Sequence, residues 1–428
     1  MNIKLACGAE QIPIDVPDNW INGRCYRPAL MQACSDARAE LMAAISALAP
    51  EMSLAAITDG KKTLAIAVDS ENPVVVQDLL PALIEMIEDE TSIKSEHITI
   101  ILSYDLWKGQ SGQTALALVD EDIKKTHRVI VHDPFDANSC VKTGDSSKQI
   151  PMSVNKAYKE ADVKIVLGGV RPDLFSGFTG GRAVLMPGLA GQETIRAMYT
   201  FEAIADRNTR YGNYRSNLFH MAGVESMNAA GCNLAVNAQI TPSGQIQNVT
   251  AGHFGQSHMQ AMNAVREAMT VKVKEPMDIV VTSGGGEDFD DTLMKLVPIL
   301  SAVEEVLKPE GTIVISAALK NGIGTPEFVS LLKAHTNVAD TLDQLAQKKS
   351  NRLTPAQWVA QRLYTILQKH EVILYNKTLD ENTVWSIGLT PARDMNEAVL
   401  GAMESHGQRC KIVALPDGPL GIGEINSK

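Results

Sequence analysis

Short apolar runs alternate with amphipathic segments along most of the chain, and this pattern predicts alternating strands and helices. Several runs are almost entirely β-branched and aliphatic over about four to eight positions, which is typical of parallel strands buried on both faces. Such strands are predicted at 63–69, 98–104, 128–132 and 163–170, followed by a hairpin at 233–252 that turns at Pro242-Ser243-Gly244. The alternation at 2–16 predicts a further, N-terminal hairpin.

Amphipathic helices are predicted between these strands at 35–48, with Ser35 as N-cap, and around 76–90 and 115–125. After the charged segment 272–276 a second series of strands and helices begins. Its strands are predicted at 278–283, 312–319, 371–376 and 411–415, and its helices at 293–307, 354–370 and 394–407.

Alternating strands and helices of this size predict parallel sheets, and 428 residues are too many for one hydrophobic core. We therefore predict an α/β protein of two doubly wound α/β domains with an interdomain cleft. The boundary is placed between residues 1–271 and 272–428, and roughly the last 20 residues are expected to pack back on the N-terminal domain.

Two glycine clusters follow the predicted strand at 163–170. Gly177, Gly180, Gly181, Gly188 and Gly191 allow positive φ angles and close backbone approach. The exposed N–H groups of such a loop can bind a phosphate or carboxylate. Glycine clusters alone are weak motifs, so a long turn without ligand is an equal alternative.

The order of residues in this loop is more specific than its glycine content. The relevant positions are Pro172-Asp173, Phe175, Gly177-Phe178-Thr179-Gly180-Gly181, Ala183, Pro187 to Gly191, Glu193-Thr194-Ile195 and Tyr199. This frame resembles the nickel-pincer-nucleotide-dependent lactate racemases and their relatives, and the resemblance continues over nearly the whole chain. It implies an isomerase, a racemase or epimerase, acting on a small 2-hydroxy acid or sugar acid.

The resemblance also implies an acid–base pair on opposite faces of the substrate. The two family histidines are replaced here by Asp105 and Asp173. A carboxylate can act as general base or acid if burial or a like charge raises its pKa. Solvated loop residues or cation ligands are the alternatives for both aspartates.

The nickel-pincer nucleotide is the cofactor that the resemblance implies, but two of the residues that would hold it differ in this chain. Ala183 stands at the position of the tethering lysine and Tyr199 at that of the histidine that binds nickel. Alanine cannot form a covalent link, so a nucleotide would be held by contacts alone, with Arg182 as a candidate phosphate partner. Tyrosine is a harder oxygen donor than imidazole, and Met198 and His220 are alternative donors.

Other candidate binding residues follow the predicted strands. Asp69 keeps the family's acid, whereas Asn72 replaces an arginine that would grip a carboxylate bidentately. Lys295 lies near the family's glutamine position. His132 is predicted either to touch the ligand or to form a structural pair. The acids at 287–291 suggest either a divalent-cation site or a solvated loop.

Composition limits the partners. A net charge of −11 and a pI near 5.4 disfavour nucleic acid and anionic membranes. The six cysteines lack a CxxC pair, and the N-terminus lacks the apolar stretch of a signal peptide. We therefore expect a cytoplasmic protein that binds a small carboxylate- or phosphate-bearing ligand. Alternatives to the isomerase are a catalytically silent relative that binds a metabolite, nucleotide or partner protein, and a metal-assisted lyase that uses the acids at 287–291.

Overall fold

The computed structural model describes residues 2–15, 24–29, 31–104, 113–334, 337–348, 354–407, 409–418 and 421–425. The chain forms two compact units. The glycine-loop unit comprises residues 31–267, and the terminal unit comprises residues 1–30 together with 268–428. Each unit contains a parallel-strand α/β sheet, which confirms the predicted fold class.

The glycine-loop unit is built on a six-stranded sheet. Its strands lie in the spatial order Ile246–Gly252, Leu234–Ile240, Val163–Val170, Leu64–Val68, Ile98–Leu102 and Arg128–Val131. Only the first pair is antiparallel. Leu64–Val68, the first strand of this sheet in chain order, lies centrally, and later strands extend the sheet first to one side and then to the other. This is the doubly wound order, in which the direction of winding reverses beside Leu64–Val68.

Both faces of this sheet are covered. Along the central strand, Leu64, Ile66 and Val68 belong to one buried cluster, while Ala65 and Ala67 belong to another. Successive side chains of a strand point to opposite faces, so the continuous apolar run supplies two cores at once. The larger cluster includes the helix Leu80–Glu90, and the smaller includes Tyr158.

Helices and short hairpins surround the sheet of the glycine-loop unit. The helices are Ala37–Ser46, Leu54–Thr58, Leu80–Glu90, Gln113–Leu118, Glu121–Thr126, Lys156–Glu160, Arg182–Leu185, Gln192–Met198, Phe201–Ala205, Leu218–Ala230 and Phe254–Met269. The hairpins pair Cys140–Asp145 with Pro151–Asn155 and Pro172–Asp173 with Gly177–Phe178.

Two predicted helix starts shift in the structure. The first helix is capped by Asp36, whose carboxylate accepts a hydrogen bond from the Ala39 amide, and not by Ser35. Either side chain satisfies the preference at this position, so the sequence alone could not separate them. The helix predicted around 76–90 begins with a π-helical turn, Val75–Leu79, before Leu80–Glu90.

The terminal unit has its own six-stranded parallel sheet. The spatial order is Thr390–Ala392, Glu371–Tyr375, Leu307–Ser316, Met277–Ser283, Ile412–Leu415 and Arg24–Cys25. A hairpin of Asn2–Cys7 and Glu10–Asp15 packs on it through Ile3, Leu5 and Ile14. Thr270–Val273 pairs with Ile422–Ile425.

The predicted domain boundary needs two corrections. A break near residue 271 agrees with the division at 268, but residues 1–30 belong with the C-terminal part of the chain. Their apolar side chains complete the core around Val281 and Val314, and Arg24–Cys25 extends that sheet beside Ile412–Leu415. The end of the chain through Ile425 also belongs to this unit, and it was expected to pack on the N-terminal domain.

Helices of the terminal unit cover its sheet. They are Leu293–Val303, Pro326–Lys333, Val338–Gln347, Pro355–Leu367, Glu381–Ser386 and Met395–His406. The predicted helix 293–307 ends at Val303 and continues as the 3-10 turn Glu304–Val306. None of the helices in the described ranges is long and apolar enough to cross a membrane.

Candidate functional site

A small, partly open pocket lies where the winding of the glycine-loop sheet reverses. Ligands of doubly wound sheets bind at this point because the loops after the two central strands diverge there. The lining residues follow the strands Leu64–Val68, Ile98–Leu102 and Val163–Val170 or lie in the glycine loop. They are Asp69, Glu71, Ser103, Tyr104, Asp173, Ser176, Thr179, Gly180, Ala183, Val184, Pro187, Gly188 and Tyr199.

The pocket brings together five of the predicted site residues, namely Asp69, Asp173, Thr179, Gly180 and Tyr199. Four others lie in the same unit without lining it: Asn72, Gly177, Gly181 and Arg182. Lys295 belongs to the terminal unit, and Asp105 lies outside the described residues. The sequence prediction missed Glu71, Ser103 and Ser176, although each is close to a position that it did name.

Asp69 fastens the two central strands to each other. Its carboxylate accepts hydrogen bonds from the amide of Glu71 at 2.8 Å, from Nδ2 of Asn72 at 2.7 Å and from the amide of Gly169 at 3.0 Å. A Cβ atom at Gly169 would lie 2.7 Å from Asn72 Nδ2, so only glycine leaves room for this contact. Asn72 therefore supports the pocket wall from behind, and its contact with a ligand stays a prediction.

Asp173 is held by a tight turn at the pocket wall. Its Oδ1 atom accepts from the amides of Phe175 and Ser176, at 3.1 and 2.6 Å, and from Ser176 Oγ at 2.7 Å. The hydrogen bonds described for this carboxylate all end at Oδ1. The arrangement fixes the side chain in one orientation and keeps Oδ2 available for a ligand.

The glycine loop is braced from inside. Thr179 Oγ1 donates to the carbonyl of Gly169 at 2.7 Å and accepts from the amide of Arg171 at 3.1 Å. Gly181 has φ +42°, and a Cβ atom there would lie 2.5 Å from the ring of His258. The ring in turn contacts the loop, because His258 Nε2 lies 2.9 Å from the carbonyl of Thr179.

The Arg182 side chain stabilises the glycine loop by hydrogen bonds to backbone carbonyls of that loop. Its side chain is 2% exposed, and the guanidinium donates to the carbonyls of Ser176 at 2.8 Å and Phe178 at 3.2 Å. Burial lowers the pKa of Arg182 to about 10, against an ordinary value of 12.5. The phosphate contact predicted for Arg182 stays untested, and the contacts described give it a supporting position beneath the loop.

Tyr199 closes the pocket as part of an aromatic cluster. Its ring lies edge-on to Phe219 and Phe175, with centroids 4.7 and 5.8 Å away. Burial, followed by the negative charges of Asp173 and Glu71, raises the pKa of Tyr199 well above its ordinary value. A phenol binds metals as its anion, so this environment opposes metal binding by Tyr199.

The lining residues do not fit a tethered nickel-pincer nucleotide. Ala183 lines the pocket and offers no amine, and Tyr199 is held as a neutral phenol. The described lining contains no lysine, histidine or cysteine. Nickel in a sulfur-rich group favours imidazole or softer donors, and the oxygen donors present here do not match that preference.

His132 is a structural residue in this fold. The ring is fully buried, with Nε2 3.0 Å from the carbonyl of Ala190, and Asn155 Nδ2 donates to Nδ1 at 3.1 Å. Both nitrogens are thus partnered, as one of the two sequence-based interpretations expected. Burial lowers its pKa.

Three histidines with lowered pKa values predict a stability that falls in mild acid. Burial lowers the pKa of His132, of His258 and of His220, the last to about 3. Below pH ~6.5 the unfolded chain binds more protons at these rings than the folded chain does, so the free energy of unfolding should fall as pH drops from 6.5 to 5. For His220 and His258, whose pKa values are lowered most, the slope should approach about 1.4 kcal/mol per pH unit for each ring.

Urea unfolding at several pH values measures this slope. The variant His220→Phe removes one titrating ring whose pKa is lowered to about 3, so it should flatten the profile. A stability that stays constant between pH 6.5 and 5 would contradict neutral, buried histidines.

The acidic segment 287–291 is divided among different partners. Glu287 pairs with Lys320, Asp291 pairs with Lys295, and Asp290 accepts from the amides of Gly8 and Ala318. Across the described ranges, no cluster of His, Cys, Asp and Glu could share a metal ion. The metal-assisted lyase therefore has no support from this segment. Lys295 Nζ lies 2.9 Å from Asp291, which gives it a local ion pair.

Two family profiles match successive parts of the chain and together cover most of it. The profile of the lactate racemase N-terminal domain matches residues 7–212, and that of the lactate racemase C-terminal domain matches residues 271–422. The chain belongs to the lactate racemase family. This confirms the resemblance seen in the sequence.

Two lactate racemases are similar to this family member over most of their length. That of Thermoanaerobacterium thermosaccharolyticum is 28% identical over 419 residues, covering 97% of this chain and 98% of the relative. That of Lactiplantibacillus plantarum is 27% identical over 364 residues, covering 85% of each.

Solved structures agree with the assignment to the lactate racemase family. The apoprotein from T. thermosaccharolyticum superposes with a TM-score of 0.89 at 28% identity, covering 99% of this chain and all of that one. A Thermotoga maritima protein, at 12% identity and a TM-score of 0.58, covers 87% of this chain and 98% of its own and shares the fold.

Proposed function

We propose that this member of the lactate racemase family is an isomerase with an altered active site, which racemises or epimerises a small 2-hydroxy acid or sugar acid. The observation that carries the proposal is the position of Asp173. Its carboxylate lines the pocket at the winding reversal and is fixed through Oδ1 by the Ser176 turn. A positioned carboxylate in a partly enclosed pocket can act as general base.

The reaction we propose is a proton transfer at the carbon that bears the hydroxyl group. Asp173 takes the proton from this carbon, and the electron pair of the C–H bond moves into the adjoining carboxyl group to give an enediolate. A second acid returns a proton to the opposite face, and Asp105 is our candidate for it. No electrons are gained or lost overall, so the step needs no redox partner.

The pocket supplies hydrogen-bonding groups for such a substrate. Ser103, Ser176 and Tyr199 line it beside Asp173, and their hydroxyl groups are of the kind that bind a polyhydroxylated ligand.

A second candidate is a family member that binds a metabolite and does not convert it. The absence of lysine, histidine and cysteine from the described lining favours this alternative, because these side chains supply most acid–base and nucleophilic chemistry. Both candidates use the same pocket, so they differ only in turnover.

Isotope exchange distinguishes the isomerase from the family member that only binds a metabolite. Purified protein, treated with a metal chelator, is incubated in D2O with the separate stereoisomers of several 2-hydroxy acids and sugar acids. The proton signal of the hydroxyl-bearing carbon is followed by NMR, and the stereoisomers are resolved by chiral chromatography. We expect one acid to lose this signal while its stereoisomer accumulates.

Two other outcomes are decisive. Binding of an acid by calorimetry without exchange would overturn the isomerase and support the binding protein. An inert protein that neither binds nor exchanges any member of the panel would contradict both candidates.

A further inference from the structure

The described wall of the pocket carries negative charge only. Asp69, Glu71 and Asp173 contribute three carboxylates, and no lysine or arginine is among the lining residues. An anionic ligand would be repelled from this wall unless a cation lay beside it, because like charges are unfavourable at short range in a low-dielectric site.

Two residues that could have supplied that cation are already engaged or uncharged. Asn72, at the family's arginine position, is neutral, 4% exposed and bonded to Asp69. Arg182 is 2% exposed and donates to two backbone carbonyls beneath the loop. Neither side chain can meet a carboxylate without breaking the contacts that hold the pocket together.

Arg171 is placed differently. It follows directly after the strand Val163–Val170, and its side chain is 43% exposed. Its Nη2 atom donates to Glu71 Oε2 at 2.9 Å, and its amide donates to Thr179 Oγ1 at 3.1 Å. Arg171 is thus bonded to two residues of the pocket wall.

The pocket carboxylates also act on this guanidinium from several directions. Burial lowers the pKa of Arg171, but the charges of Glu71, Asp69 and Asp173 raise it by more, so the net shift is upward. The positive charge of Arg171 therefore partly balances the same three carboxylates that would repel an anionic substrate.

We propose that Arg171 recognises the carboxylate of the ligand, and that Glu71 holds its guanidinium beside the pocket until the ligand replaces that contact. The guanidinium has five N–H donors in one plane, which suits a carboxylate, and the contact with Glu71 engages one nitrogen. This deepens the proposed function and rests on it, since it names the group that selects acids over neutral polyols.

The test compares acids with their neutral counterparts. Binding of 2-hydroxy acids and of the corresponding amides is measured by calorimetry for the wild type, Arg171→Gln, Arg171→Lys and Glu71→Gln. We expect Arg171→Gln to weaken binding of the acids by about 10- to 100-fold and binding of the amides by less than about twofold. Arg171→Lys should fall between the wild type and Arg171→Gln.

Glu71→Gln gives the opposite prediction. It removes the competing carboxylate and one negative charge from the wall, so binding of the acids should become several-fold stronger. A matched control is Arg38→Gln, which breaks an exposed Arg38–Glu85 pair that does not line the pocket and should leave binding unchanged.

The results distinguish this inference from the proposed function. Acid binding that depends on Arg171, without isotope exchange, supports the inference and overturns the isomerase. Exchange with an unchanged KM for the acid in Arg171→Gln supports the isomerase and overturns the inference. Equal losses for acids and amides, or a wild type that binds no acid, also overturn it, and melting temperatures identify any variant that fails to fold.

Discussion

Asp173→Asn should lower the rate of isotope exchange at the hydroxyl-bearing carbon by about 100- to 10,000-fold, the range expected for loss of a positioned general base. The substitution is structurally mild. Asparagine keeps the Oδ1 acceptor that receives the Phe175 amide, the Ser176 amide and Ser176 Oγ. Only the basicity of the carboxylate is lost. The measurement is the initial exchange rate, with binding of the acid measured in parallel.

Asp120→Asn is the matched control. Asp120 also accepts hydrogen bonds from the amides two and three residues later, but it is exposed and caps the helix Glu121–Thr126 outside the pocket. Its variant should keep the wild-type rate. If Asp173→Asn still exchanged at that rate, Asp173 could not be the base and the proposed mechanism would be wrong.

The location of this site could be predicted from the sequence because it depends on strand order. Apolar runs end at Val68, Leu102 and Val170, and parallel strands of a doubly wound sheet end along one edge. Asp69 and Asp173, which follow two of these runs, consequently line one pocket. No knowledge of side-chain contacts was needed for this step.

The sequence could not show which of the predicted site residues line the pocket and which only support its wall, because this depends on contacts between distant parts of the chain. The Thr179 hydroxyl bonds to Gly169, ten residues earlier, and Asn72 bonds to Asp69, which also accepts from Gly169. A polar residue in a loop motif gives no sign of whether its hydrogen bonds are already satisfied by the backbone. The pair of Glu71 with Arg171 spans 100 residues and was missed for the same reason.

Long-range pairing also explains the error at the N-terminus. The alternation at 2–16 correctly indicated a hairpin, but any apolar face can cover either sheet. The hairpin belongs to the terminal unit because Ile3, Leu5 and Ile14 pack against strands about 270 to 400 residues later in the chain. Local pattern therefore predicted the element and not its unit.

Gly177→Ala should destabilise the protein by more than about 4 kcal/mol. A loss of this size is exceptional for one substitution and indicates a specific cause, here a steric clash with the backbone. Gly177 has φ +79°, and a Cβ atom there would lie 2.1 Å from the backbone oxygen of Asn213. That oxygen cannot easily move, because Asn217 Nδ2 donates to it and also to the carbonyl of Phe175. Urea unfolding followed by circular dichroism measures the change in free energy.

Gly244→Ala is the control that distinguishes the cost of the steric clash from the cost of a positive φ angle. Gly244 has nearly the same angle, φ +78°, but a Cβ atom added there would have no neighbouring atom within 4 Å among the described residues. Its substitution should therefore cost only the conformational term of about 1–2 kcal/mol. Because Gly177 pairs with Asp173 across the short hairpin, Gly177→Ala should also weaken acid binding, and Gly244→Ala should not. Equal losses of stability in the two variants would show that the glycine loop tolerates a side chain, and the close packing that positions Asp173 would then be refuted.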